Sequence, residues 1–220
     1  LRLYDDELLT FSLEEKVLEG LKSYIISIDE DMKNLFPLDL ELTDEGIFKW
    51  LERRVIPKNR AFVDEILKVL GLSHNNTKGI IDVSKGLSLN DSYWVVPADF
   101  NGIFQEYNLY KNRFSEELSL VAYTGVETTI QDFTTSPELT TQGMLRKAWR
   151  FIEDDGIYLY KGGTEGFANS GNEPYSEYYA CQIAKAMGLN AAEYDLENWK
   201  GILASKCKIF TDIDTSFVSI

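Results

Sequence analysis

Two charged side chains in the second half of the chain stand where a charge is costly. Lys161 ends a short alternating run, on the side that also carries Ile157 and Leu159. Glu177 is the only charge on the inward stripe of the helix that is predicted to follow. A charge on a buried face needs a partner, so we expect Lys161 and Glu177 to meet across the intervening loop.

A glycine-containing turn precedes these residues and would complete a phosphate-binding site. The segment from Thr140 to Lys147 places Gly143 in a polar turn directly before a strand. Backbone N–H groups of such a turn can approach phosphates because glycine has no Cβ in the way. A lysine can reach the phosphates as a point charge, and a glutamate can hold that lysine. The order of turn, hairpin, lysine and inward glutamate therefore favours binding of a nucleoside triphosphate.

Each of these signals is weak alone. Lysine often ends an edge strand as a protection against aggregation, and a glutamate near a helix start also interacts with the helix dipole. The Walker A pattern has no match in the sequence. The prediction therefore depends on the ordered set. The residues assigned to the phosphates and their lysine are Gly143, Met144, Arg146, Lys147, Lys161 and Glu177.

The sequence contains few other side chains that could act in catalysis or bind a metal. His74 is the only histidine and lies in a polar stretch without a nucleophile-elbow signature, which argues against a histidine-dependent hydrolase or a histidine-rich metal site. Cys181 and Cys207 lack the spacing of a zinc site and are interpreted as buried thiols of a cytosolic protein. We expect no metal ligands in this sequence.

Composition predicts a folded protein with a diffuse negative charge. The 220 residues are 44% hydrophobic, which argues against intrinsic disorder, and no apolar run is long enough to span a membrane. The net charge is −14, and its spread along the chain argues against a nucleic-acid surface. We expect a cytoplasmic protein that touches neither nucleic acid nor membrane. Because an initiator methionine is missing, we also expect a processed form or a piece of a longer chain.

The elements that must position the candidate site are an antiparallel sheet and one helix. Strands are predicted at 149–153 and 157–161 around a turn at Asp154-Asp155-Gly156, with a helix from Asn172 to Met187 and a stop at Gly188. The expected fold class is α+β. We divide the chain into an N-terminal subdomain, 1–123, and a sheet-containing, nucleotide-binding subdomain, 124–220.

The N-terminal subdomain is predicted to mix short strands and short helices. Strands are expected at 3–12, at 24–28 and around Val95 and Val96, and a late helix at 114–122. Three helices should begin after caps at Thr43, Asn59 and Asn76. Three short helices are also typical of a helix-turn-helix DNA-binding domain. A basic cluster lies among them: Arg53, Arg54, Lys58 and Arg60. The third helix offers few cations to a groove, so a helical packing subdomain is favoured over DNA binding.

Several phrases of the sequence resemble the HipA-like serine/threonine kinases, especially their Gram-positive branch. The similarity covers nearly the whole chain, but only the N-terminal part of such a kinase. Its main phrases are 35–42, Phe48-Lys49-Trp50-Leu51, Ile56-Pro57, 88–95, Thr140-Thr141-Gln142-Gly143, and the helix Glu177-Tyr178-Tyr179-Ala180 through Leu189. Lys161 falls on the ATP-binding lysine of the family. Residues 208–211, with Phe210, resemble the hinge strand beside adenine.

The resemblance implies an ATP-binding, kinase N-lobe-like sheet of a toxin-type protein kinase. It implies regulatory phosphorylation of the phosphate loop, here at Thr140 or Thr141, where an added phosphate would repel ATP. It also implies a protein substrate or an antitoxin as partner. In the family the catalytic residues and the magnesium ligands follow the hinge, so we expect both outside this chain and no efficient phosphoryl transfer by the chain alone.

The sequence leaves one alternative function open. The chain could be a non-catalytic interaction module that binds a partner protein through its aromatic-rich region, 93–110. Tyrosine and tryptophan are enriched at protein interfaces. Packing of the same side chains in a core would explain them equally, and dependence on Mg-ATP would distinguish the two functions.

Overall fold

The computed structural model describes residues 1–16, 20–130, 133, 135–166 and 169–218. The N-terminal half begins with two small antiparallel sheets. One joins β1 (Arg2–Leu3) to β2 (Asp6–Glu7) and, on its other edge, to β5 (Tyr93–Trp94). The other is the hairpin of β3 (Leu9–Lys16) and β4 (Gly20–Ile28), followed by a 3-10 helix at Glu30–Leu35. The early strands predicted from the sequence are thus confirmed in type.

Three short helices follow, and two of them begin where their caps predict. Thr43 accepts a hydrogen bond from Gly46 N at the start of α1 (Asp44–Glu52), and Asn76 accepts one from Gly79 N at the start of α3 (Thr77–Ser84). The predicted cap at Asn59 is wrong. The middle helix, α2 (Val63–Lys68), begins four residues later because a turn closes from Pro57 to Arg60 and Phe62 takes a left-handed conformation, φ 61°.

The predicted strand at Val95 and Val96 is also misplaced. Only Tyr93 and Trp94 pair with β1, and Val95 N donates instead to Lys85 O, at the end of α3. The chain then forms α4 (Phe104–Tyr107) and α5 (Glu116–Thr124). The helix predicted at 114–122 is therefore confirmed. It begins at Glu116, two residues later than predicted, after the cap at Ser115.

The C-terminal half is a four-stranded antiparallel sheet with one helix. Its strands lie in the order β6 (Lys147–Ile152), β7 (Gly156–Gly162), β9 (Ile202–Lys208) and β8 (Tyr194–Trp199). The helix α6 (Glu173–Ala186) lies in the chain between β7 and β8 and packs on β8 and β9. A 3-10 helix at Pro137–Leu139 precedes β6. The α+β class and the kinase N-lobe-like sheet are confirmed.

The two faces of this sheet have different neighbours. On one face Tyr160, Ala148 and Ala204 pack against Tyr123 at the end of α5. Because strand residues alternate, Leu159 and Lys161 face the other side, and Lys161 meets α6 there. The division of the chain at 123/124 stays a prediction. No helix in the described ranges is both long and apolar enough to cross a membrane.

Candidate functional site

The predicted pair of Lys161 and Glu177 forms. Lys161 Nζ lies 2.6 Å from Glu177 Oε1 and donates a second hydrogen bond to the Tyr194 hydroxyl at 3.0 Å. Both charged side chains are mostly buried, with 21% and 29% of their side-chain surface exposed. A pair at this depth is screened less than a surface pair, and its hydrogen bonds fix the position of the ammonium.

Neighbouring strands hold both partners of the pair. Ser205, directly beside Lys161 across β7 and β9, donates a short hydrogen bond to Glu177 Oε2. Tyr194, at the start of β8, supplies the hydroxyl on the other side. Burial alone would lower the pKa of Lys161, but its hydrogen bonds to Glu177 and Tyr194 outweigh burial and raise the pKa above its ordinary value. Lys161 is therefore held as a cation.

Cys181 and Cys207 pack beside this pair. Both are free, buried thiols, as predicted. Tyr194 N donates to Cys181 Sγ at 3.3 Å, and Cys207 lies opposite Tyr194 in the sheet. Burial raises the pKa of the Cys207 thiol, which keeps it neutral at physiological pH. The two thiols are thus part of the packing that seats α6 on the sheet.

The glycine loop, residues 140–146, lies between the 3-10 helix and β6. Gly143 has a φ of +95°, and a Cβ there would collide with the Lys147 ammonium. The N–H groups of Gly143, Met144 and Leu145 donate to no acceptor in the part of the chain that the structure describes. The loop therefore presents free donors around a position that only glycine fills without strain, which is the arrangement a phosphate needs.

Lys147 links the glycine loop to the charged pair. Its Cα is the register partner of Lys161 on the neighbouring strand, and its Nζ donates to Gln142 O at 2.7 Å. Burial lowers the pKa of Lys147 to about 8, and the nearby Arg60 and Lys161 add to that effect. The loop, Lys147, Lys161 and Glu177 are thus adjacent in the fold, and their assignment to phosphates stays a prediction.

The side chains of two predicted site residues have partners outside this group. The Arg146 guanidinium stacks over the Phe62 ring at 5.2 Å and pairs with Glu165. Phe210 follows β9, is exposed, and has its ring 5.8 Å from that of Phe217. Met144 is an exposed residue of the glycine loop, and its carbonyl accepts a hydrogen bond from Ala61 N at 2.8 Å.

The two threonines at the start of the loop are engaged in hydrogen bonds. Thr140 is 4% exposed, and its hydroxyl donates to Leu87 O at 2.8 Å. The Thr141 hydroxyl donates to Pro137 O and accepts from Trp149 Nε1. In this conformation Thr140 is inaccessible, so the loop must move before Thr140 can be phosphorylated.

Sequence reasoning missed three residues that shape the site. Tyr194 and Ser205 orient the charged pair, but they come from strands that follow it by many residues. Gln142 holds the loop, because its amide donates to Arg53 O and Val55 O at 2.9 Å each. For Tyr194 and Ser205, the only signal in the sequence would have been a strand pattern at 194–208.

The features behind the alternative functions are largely buried. Arg54 pairs with Asp91 and Arg60 with Glu138, so two of the four residues of the basic cluster lie in the interior. In the aromatic-rich region, Trp94 is fully buried and its ring packs edge-on against Phe104. Within the described residues, no group of three histidine, cysteine or acidic side chains could hold a metal ion.

The comparisons with known proteins bear on the fold. No protein-family model matches the chain, and the search of curated proteins found no match. Among solved structures, the chain is similar to HipA of Shewanella oneidensis MR-1, from the complex of this toxin–antitoxin system's HipA and HipB with operator DNA, with a TM-score of 0.53 and 17% identity. The fold is HipA-like. The similarity covers 95% of this chain and 50% of that HipA chain, so the chain spans about half the length of its structural neighbour.

Proposed function

We propose that this chain is the ATP-binding N-terminal part of a HipA-like serine/threonine protein kinase of the toxin type. The observation that carries the proposal is the junction of the glycine loop with two lysines. Gly143 and its neighbours offer unused N–H donors, Lys147 lies beneath them, and Lys161 is fixed by Glu177. Two cations beside one carboxylate leave a local positive charge in a chain of net charge −14. That charge suits a polyphosphate.

The residues present fit ATP in the following roles. The N–H groups of the glycine loop and Lys147 would hold the terminal phosphates, and Lys161 the α- and β-phosphates. Glu177, Ser205 and Tyr194 keep Lys161 in place. Phe210 and the backbone at 209–211 are proposed as the hinge beside adenine. Arg146 remains a secondary phosphate candidate that would have to leave Glu165.

ATP would supply the phosphoryl group, but the proposal assigns this chain binding and orientation only. We place the magnesium ligands and the catalytic residues of the transfer outside this chain, and expect the chain alone to transfer phosphate poorly. The solved HipA neighbour forms a complex with HipB and operator DNA. By that similarity we propose an antitoxin-like protein as partner. A protein substrate, a cytoplasmic location and membership of the Gram-positive branch are proposed from the sequence resemblance alone.

Titration with Mg-ATP tests the proposal. The wild type should melt at a higher temperature as Mg-ATP is added, and Lys161→Ala should bind it about 10- to 150-fold more weakly, since a charge-assisted hydrogen bond contributes about 1.5–3 kcal/mol. The matched control is Lys206→Ala. Lys206 is equally buried on the next strand, with 20% of its side chain exposed, but it pairs with Glu197 on the opposite face. Equal weakening by both variants, or none by Lys161→Ala, would remove Lys161 from the site.

A second candidate is a non-catalytic module that binds a partner protein. The outer side of α6 favours it, since Tyr179, Ile183 and Met187 recur at fourth positions and are 60–67% exposed. Exposed apolar side chains in a stripe are typical of protein contacts. A module of this kind should show no stabilisation by Mg-ATP, so the same titration separates the two functions.

A further inference from the structure

Arg60 forms a buried ion pair where the glycine loop meets the N-terminal subdomain. It lies between α1 and α2, and its guanidinium pairs with the carboxylate of Glu138 in the 3-10 helix before the loop. The side chains of both residues are 0% exposed. Trp149 N, in β6, donates to the second carboxylate oxygen of Glu138 at 2.6 Å.

The same guanidinium contacts the backbone on both sides of the glycine loop. Arg60 Nη1 donates to Glu138 O at 2.7 Å, before the loop, and Nη2 donates to Lys147 O at 2.9 Å, after it. A longer contact of 3.4 Å joins Nη1 to Thr141 O within the loop. One planar group therefore sets the distance between the two ends of the loop.

The free energy that the ion pair of Arg60 and Glu138 adds to folding does not explain why these two charges are buried here. Desolvation of two charges offsets most of their attraction, and well-packed apolar residues often stabilise a protein equally well. Here Arg60 Nε is also buried without a hydrogen-bond partner among the described residues. Burial raises the pKa of Glu138, against the opposing effect of Arg60. What an apolar pair could not supply is the set of directed bonds to the loop ends.

We propose that Arg60, held by Glu138, is the positioning residue of the glycine loop. It fixes the loop ends so that the free N–H groups of Gly143 and Met144 and the Lys147 ammonium keep one arrangement before the ligand arrives. The inference rests on the proposed function, because it assumes that the loop binds the phosphates of ATP. Preorganisation reduces the ordering cost of binding, so its loss weakens the affinity rather than the fold alone.

The variant Arg60→Lys tests this role. Lysine keeps the positive charge beside Glu138, but its single ammonium cannot reach the carbonyl oxygens of Glu138 and Lys147 together. The matched control is Arg54→Lys. Arg54 is also a buried arginine, paired with Asp91 and bonded to Gly86 O, but it donates no hydrogen bond to either end of the loop.

Two measurements on the full chain provide the readouts. Mg-ATP titration should show an affinity about 10- to 100-fold weaker for Arg60→Lys and little changed for Arg54→Lys, both measured well below their melting temperatures. Amide hydrogen exchange of Thr140, whose N–H donates to Pro137 O, and of Gly162, whose N–H donates to Arg146 O, should accelerate in Arg60→Lys only. If Arg60→Lys does not fold, Glu138→Gln, which removes the ionic tie but keeps the shape, should show the same two changes to a smaller extent.

The outcomes separate the two hypotheses. Unchanged exchange of the Thr140 and Gly162 amides in a folded Arg60→Lys overturns the positioning role, whatever the wild type does with ATP. Faster exchange with unchanged ATP affinity overturns it as well, because the loop order would then not serve the ligand. A wild type that does not bind Mg-ATP overturns the proposed function itself, and the failure then appears in the unmodified protein.

Discussion

Lys147 and Lys161 lie directly opposite each other on neighbouring antiparallel strands. Like charges in this relationship destabilise a sheet, so the structure must compensate for them. Lys161 is compensated by Glu177 at 2.6 Å, whereas the Lys147 ammonium donates to the neutral carbonyl oxygen of Gln142. Among the described residues no carboxylate forms an ion pair with Lys147, and an anion at the glycine loop would supply the missing charge.

The first prediction concerns the backbone of the glycine loop. In Gly143→Ala the new Cβ meets the Lys147 ammonium and the residue keeps an unfavourable φ of +95°. We expect a stability loss of about 1–2 kcal/mol and an ATP affinity reduced about tenfold, from urea unfolding and Mg-ATP titration.

Gly201→Ala is the control for that prediction. Gly201 lies in the turn between β8 and β9 with a φ of +80°, and none of the described residues has an atom within 4 Å of the place that a Cβ would take. It should lose similar stability and keep its ATP affinity. Equal affinities for the two variants would mean that Gly143 matters only for its backbone conformation.

The second prediction uses the titration of Lys147. Because its pKa in the folded chain, about 8, lies below the ordinary value of 10.5, Lys147 reduces stability at pH values below 8, and this cost disappears as the pH rises towards 10.5. Lys147→Met should remove this dependence and be more stable than the wild type at pH 7, by up to about 3 kcal/mol before the lost bond to Gln142 is counted. Urea unfolding at pH 7 and pH 9.5 measures it.

Binding of ATP should be linked to the same proton. A phosphate beside Lys147 favours its charged form, so binding at pH 8.5 should take up about 0.7 proton, measured by calorimetry in two buffers of different ionisation enthalpy. Lys147→Met should take up none. Identical proton uptake by the two proteins would show that Lys147 does not face the phosphates.

The third prediction concerns Thr140 as a site of regulatory phosphorylation. Its hydroxyl donates to Leu87 O, so a carboxylate in its place would face a carbonyl oxygen in the interior. Thr140→Asp should lower the free energy of unfolding by about 2–4 kcal/mol and accelerate amide exchange at Leu139 and Thr140, whose N–H groups donate to Ser136 O and Pro137 O.

Thr140→Val is the matched variant, since it keeps the shape and removes only the donor. It should cost about 1 kcal/mol and leave the exchange of the loop near that of the wild type. A Thr140→Asp protein as stable as Thr140→Val would show that the buried position tolerates charge, and a phosphate there would then not need to expel the loop.

The C-terminal sheet was predictable because its signals are local. Asp154, in the turn between β6 and β7, and Gly156, the first residue of β7, both take positive φ values, as the Asp-Asp-Gly sequence indicates. Alternation within β7 places Lys161 on one face, and Gly188 ends α6 by a left-handed turn. Each of these depends on a few neighbouring residues, so the pair of Lys161 and Glu177 followed from them.

The errors arose where distant contacts override local patterns. A cap at Asn59 was plausible locally, but Arg60 turns inward to Glu138, a residue 78 positions away, and the helix starts after it. The Val95–Val96 pair looked like a strand, but its backbone bonds to Lys85. The assignment of Arg146 to the phosphates is not among these errors and stays a prediction, although its guanidinium pairs with Glu165 in the fold.

By itself, the sequence determined the α+β class, the hairpin and the face on which Lys161 and Glu177 meet, because strand alternation and helix periodicity act over short distances. Only the tertiary structure decided which cationic side chains lie at the surface and which lie in buried ion pairs. Arg53, Arg54, Lys58 and Arg60 look alike in the sequence, yet Arg54 and Arg60 lie in buried ion pairs. The burial of a charge depends on partners far along the chain, and it is this burial that places Arg60 at both ends of the glycine loop.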